Sequence, residues 1–115
     1  MIYLHPYSSV HVMITTSGSP TVGEMYTLEC SVFGSMDQPT IIWLDDDSSE
    51  ITSSDSTRMV STLTTMNPGG SHSSTLTFNP LSASDIGMFM CRVTLGDVIQ
   101  TISMDITVKG TKCNV

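Results

Sequence analysis

Cations are scarce in this chain. Lys and Arg supply only 4 of its 115 residues, against 11 Asp and Glu, for a formal net charge of −7. So acidic a surface repels phosphate backbones and anionic lipid, which argues against nucleic acid and membrane surfaces as partners. Long apolar runs are also missing: no stretch approaches the roughly eighteen residues that a membrane span needs. The opening Met1-Ile2-Tyr3-Leu4-His5-Pro6 lacks the basic start and apolar run of a secretory signal. A secreted form therefore requires that the chain be an excised piece, with its signal and anchor elsewhere.

Catalytic and metal-binding patterns are absent too. Ser is plentiful, yet there is no Gly-x-Ser-x-Gly elbow with a placed base and orienter. An enzyme is not expected, nor is a cofactor. His5, His11 and His72, with Cys113 at the far end, make no zinc spacing. Asp45-Asp46-Asp47-Ser48-Ser49-Glu50 gathers carboxylates, but without the looped spacing and central Gly of a calcium site, so a solvated turn is expected. Asn67 and Asn79 each precede Pro and form no glycosylation sequon.

What the chain does have is hydroxyl-rich alternation. Charged residues make up 13% and hydrophobic residues 39%, a mix that suits short strands with Ser/Thr outer faces better than helices. Val10, Val12 and Ile14 share one face of an opening strand, which Ser17-Gly18-Ser19-Pro20 ends. Between Met25 and Phe33, Tyr26, Leu28, Cys30 and Val32 alternate with Thr27, Glu29 and Ser31, the period-two pattern of a half-covered strand. Thr40–Leu44 is a short apolar strand, and residues 45–56 are polar and turn-rich. Arg58–Met66 and Ser73–Phe78 flank Asn67-Pro68-Gly69-Gly70, and Gly87–Thr94 and Val98–Val108 flank Leu95-Gly96-Asp97, so both pairs read as hairpins. In the last strand Ile102, Met104, Ile106 and Val108 share a face. About seven short strands with no helical period predict one all-β domain, an antiparallel sandwich or barrel.

Three residues sharpen this reading. Cys30 and Cys91 lie on inward strand faces 61 positions apart, and Trp43 falls between them. A longer run closes on the second cysteine: Leu76-x-Phe78-x-x-Leu81-x-x-x-Asp85-x-Gly87-x-Phe89-x-Cys91. Together these resemble the Cys…Trp…Cys spacing and the D-x-G-x-Y-x-C run of immunoglobulin superfamily domains. The resemblance covers residues 9–109, leaving 1–8 and 110–115 as tails or linkers. It implies a two-sheet antiparallel Greek-key immunoglobulin-like sandwich with one inter-sheet disulfide. Phe89 departs from the pattern, because Tyr is usual there and its hydroxyl bonds back to the chain at a corner. Only 14 residues separate Trp43 from Arg58, too few for the extra strand pair of variable-type domains, so the chain is closer to the intermediate set. Its Thr- and Met-rich texture resembles ectodomain modules of sponge receptor tyrosine kinases and sponge adhesion molecules.

The resemblance implies roles for particular residues. Cys30 and Cys91 are the expected disulfide, packed on Trp43 and pointing to an oxidising, extracellular setting. Free buried thiols, as in muscle-type cytosolic relatives, are the alternative. Cys113 is left over, either a plain tail residue or a link to another module or chain. Arg58 and Asp85 are the expected structural salt bridge, because family members commonly pair such residues.

Parity gives a candidate partner-binding face. With Trp43, Phe89 and Cys91 inward, Ile42, Leu44, Met88, Met90 and Arg92 point outward, and Ile99 and Thr101 join them from the last strand of what the family fold makes one sheet. The other sheet is expected to expose Thr27, Glu29, Ser31 and Thr77, with no comparable apolar area. These readings suggest an extracellular recognition or adhesion module binding protein, whether a second copy in a weak homodimer or another cell-surface protein. A structural spacer in a multi-module ectodomain is the alternative.

Overall fold

A computed structural model describes residues 11–34, 38–52, 57–65 and 71–107, with no account of the side chains of 63–65. Val10, Val108, Cys113, the Asn67-Pro68-Gly69-Gly70 turn and the terminal tails lie outside these residues.

Among the described residues eight strands form in chain order: β1 (His11–Thr16), β2 (Tyr26–Phe33), β3 (Thr40–Leu44), β4 (Glu50–Ile51), β5 (Arg58–Thr65), β6 (Ser71–Phe78), β7 (Gly87–Leu95) and β8 (Val98–Ile106). They make two four-stranded antiparallel sheets, β1-β2-β6-β5 and β4-β3-β7-β8. Sequence neighbours β2 and β3 lie in different sheets, as do β6 and β7. This crossing traps one core between the two inner faces.

The inner faces follow the sequence alternation. Tyr26, Leu28, Cys30 and Val32 of β2 are buried against Trp43 of β3 and Phe89, Cys91 and Val93 of β7. Leu76 and Phe78 of β6, Leu81 and Ile106 complete the cluster, with Val12, Ile14, Ile41, Val60 and Met104 packed on its margin. The disulfide joins Cys30 to Cys91 across it, with Cα atoms 6.4 Å apart.

The structure departs from the expected strands in several details, one being that β6 starts at Ser71 and not at Ser73. Glu50–Ile51 is a short strand inside the segment read as a polar turn, pairing Ile51 with Trp43. Ile51 is buried, and this single inward apolar residue after an acidic turn is what makes the strand. The last hairpin closes on Gly96-Asp97 alone, with Leu95 paired to Val98. Gly96, at φ 61, takes the positive-φ first position of a two-residue turn, where a Cβ is unfavourable.

Candidate functional site

The centre of the sandwich is tied twice. In β2–β6 Cys30 faces Ser74, and in β3–β7 Cys91 faces Trp43. The disulfide spans the gap between the sheets on the cysteine side. Beside it, Trp43 donates its indole Nε1–H to Ser74 Oγ at 3.0 Å, both residues being fully buried. Sequence reading missed Ser74. The signal was there, since a serine two residues before Leu76 must share its inward face.

One end of the sandwich is held by Arg58 and Asp85. Arg58 Nε and a terminal nitrogen donate to Asp85 Oδ1 at 2.9 and 2.6 Å. Asp85 Oδ2 accepts the Ser82 N–H at 2.8 Å and its hydroxyl at 3.0 Å. Asp85 closes a single 3-10 turn, Ala83–Asp85, and is buried with both oxygens satisfied. The Arg58 guanidinium also lies 5.4 Å from the Phe89 ring centre and 5.7 Å from that of Phe78, within cation–π range. The two rings meet edge to face at 5.2 Å. Phe89, in the place of the usual Tyr, thus sits buried between an aromatic edge and a cation. Gly87, two residues before it, has φ 146, which only glycine adopts without strain.

The acidic turn is self-organised. Asp45 Oδ1 accepts the N–H groups of Asp47 and Ser49, both at 2.9 Å. Asp45, Asp46 and Asp47 can each bring one carboxylate oxygen within 4.8 Å of the others. Asp45 and Asp46 also line a small hollow of about 170 Å³ beside Arg58, Gly87 and Phe89. His72, which precedes the strand expected from Ser73, lies within β6, opposite Val32, and is buried.

The candidate face is brought together with one correction. On the outer side of β4-β3-β7-β8 the register stacks Ile99, then Ile42 with Arg92, then Leu44 with Met90, then Met88 in successive rows. Ile99 is 62% exposed and Met88 38%, while Ile42, Met90 and Arg92 are half-buried. Leu44 points outward as expected but is only 3% exposed, so it is not available to a partner. It is the one member of the band with a long side chain opposite it on each side, Glu50 on β4 and Met90 on β7. Thr101 is exposed at the rim.

The other sheet needs a larger correction. Ser31 is buried rather than exposed, Thr27, Glu29 and Thr77 are half-buried, and Met13, Phe33 and Met59 are exposed. Alternation placed the first strand's even positions inward, which leaves Met13 outward beside Ser31. Phe33 and Met59 stand at opposite ends of this sheet, so these residues do not form one band.

Comparisons with known proteins agree with this architecture. A family model described as "Immunoglobulin domain" matches residues 12–94. No curated protein matches the chain. Among solved structures, the C. elegans twitchin kinase fragment, with its kinase and immunoglobulin domains, is similar at 16% identity and TM-score 0.61, over 89% of this chain and 21% of that one. The mouse nectin-like molecule 4 ectodomain is similar at 16% identity and TM-score 0.68, over 84% of this chain and 33% of that one. Dpr11 Ig1 bound to DIP-gamma is similar at 19% identity and TM-score 0.58, over 84% and 50%. The chain thus spans half or less of the length of each, and these likenesses establish the fold alone. Fold, bridged cysteines and family match together make the chain a member of the immunoglobulin domain family.

Proposed function

We propose that this domain is a non-catalytic recognition module of an extracellular, receptor- or adhesion-type protein, and that it binds protein through the outer face of β4-β3-β7-β8. The observation that carries this reading is the band of Ile99, Ile42, Met90 and Met88 in four successive rows, with Arg92 beside it. Apolar residues are normally scattered over a surface; a continuous band rimmed by Thr101, Ser103 and Asp105 is a contact surface. Met side chains adapt to differently shaped partners, and Arg is common among interface hot spots. The disulfide fits an oxidising compartment. The likeness to a nectin-like ectodomain and to Dpr11 bound to DIP-gamma supports a protein partner.

The test is adhesion. Beads coated with the domain are scored for binding to one another and to cells, beside beads carrying Met90→Glu with Met88→Glu. Loss of binding with an unchanged thermal midpoint supports the face. Equal binding by the double variant removes the face, and no binding by either protein returns the domain to a spacer role.

A further inference from the structure

We propose that the outer edge of β8, which pairs with no other strand among the described residues, pairs antiparallel with the same edge of a second copy of this domain. The inference concerns the edge of the sheet and goes beyond the face proposed above. Leu95 and Val98 flank a two-residue turn and so form a hydrogen-bonded pair. Antiparallel pairs then alternate along the hairpin. Opposite Thr94, Arg92, Met90 and Met88, therefore, Ile99, Thr101, Ser103 and Asp105 turn their N–H and C=O groups away from β7. All four residues are exposed, and β8 is the last strand of its sheet. Among the described residues no other backbone group bonds to them.

Proteins usually blunt such an edge with brevity, Pro or Lys. β4, at the other edge of the sheet, has two residues, whereas β8 has nine, with neither Pro nor Lys and Asp105 as its one charge. The occupant that fits is a second copy, because an antiparallel edge complements itself under a two-fold axis. Placing that axis at Ile102 sets Thr101 opposite the second copy's Ser103, and Ile99 opposite its Asp105. All four outward residues of each chain are then paired. The two Asp105 carboxylates lie at opposite ends of the junction, so two chains of net charge −7 meet along a stretch with no like charges facing. A strand edge buries less area than stable dimers require, so the contact is transient.

Amide hydrogen exchange on the wild-type domain, read residue by residue from dilute to concentrated solution, tests this directly. The expected result is slowing at Ile99, Thr101, Ser103 and Asp105 as concentration rises, roughly tenfold when about nine tenths of the chains are paired. Gln100 and Ile102, already bonded to β7, stay unchanged. Ser103→Pro removes a donor that β7 does not use, which edge strands tolerate. It should abolish both the slowing and the dimer seen by sedimentation. No concentration dependence at these amides overturns the pairing. So does self-association that survives Ser103→Pro but is lost in Met90→Glu, since that outcome assigns contact to the face. The reverse pattern supports the edge and leaves the face to its own adhesion test.

Discussion

Trp43 and Ser74 meet across the sandwich at the level of the disulfide, each standing opposite one of the bridged cysteines within its own sheet. Burial of an indole N–H is unfavourable without an acceptor, and Ser74 Oγ supplies one where neighbouring inward positions of β6 carry Leu76 and Phe78. Ser74→Ala leaves that donor unsatisfied in a site with no access to water. The expected loss is about 1–3 kcal/mol, read as a lower denaturant midpoint with unchanged slope. An unchanged midpoint would mean that Trp43 had found another acceptor.

The bridge itself is expected to contribute more. Closing a 61-residue loop restricts the unfolded chain enough to stabilise by about 4 kcal/mol on the chain-entropy model. The unreduced domain should show one intradomain disulfide by peptide mapping, between Cys30 and Cys91, with Cys113 alkylatable or in an intermolecular link. A Cys30→Ala/Cys91→Ala variant should unfold at a clearly lower temperature.

At the end of the sandwich, Arg58→Met removes one partner of a largely buried pair. Asp85 keeps its bonds from Ser82 but loses its cation, and Phe78 and Phe89 lose the guanidinium beside them. Breaking such a pair from one side costs about 3 kcal/mol. In a double-mutant cycle with Asp85→Asn the two losses should not add, because both variants remove the same contact. Additive losses would show that the ion pair is solvated and contributes little.

The burial of Leu44 changes how the candidate face must be probed. Leu44→Ala should lower stability by about 2–3 kcal/mol, as expected of a covered aliphatic side chain, whereas Ile99→Glu should stay within about 0.5 kcal/mol of wild type. Calorimetry on the two variants separates them. If Leu44→Ala proves neutral, Leu44 belongs with the accessible band after all.

Period-two alternation around Cys30, Trp43 and Cys91 was enough to read the core, because each inward residue fixes the facing of its neighbours. The same parity predicted that Leu44 points outward, but parity carries no information on what lies alongside. Its burial depends on β4, a two-residue strand too short to show a period. Ser31 departs for a similar reason: it is buried although parity turns it outward, because exposure on an outer face is set by the sizes of cross-strand neighbours, which only the register reveals. The Arg58–Asp85 pair came from the family pattern and not from any local signal, since 27 residues separate its members.

The placement of the disulfide also governs how the domain responds to pulling. His11 opens β1 at the end of the sandwich where Phe33 pairs with Ser71, and Ile106 closes β8 at the other end, opposite Gly87. Tension applied through these two points runs along the sandwich and loads the outer strands in shear. Once β1 and β8 peel away, extension stops at Cys30 and Cys91. The segment spanning the 61 positions that separate them, a contour length of roughly 200 Å at about 3.5 Å per residue, stays gathered until a reductant cuts the bridge. Under oxidising conditions the domain is a short tether with a fixed stop, and under reducing conditions a long one.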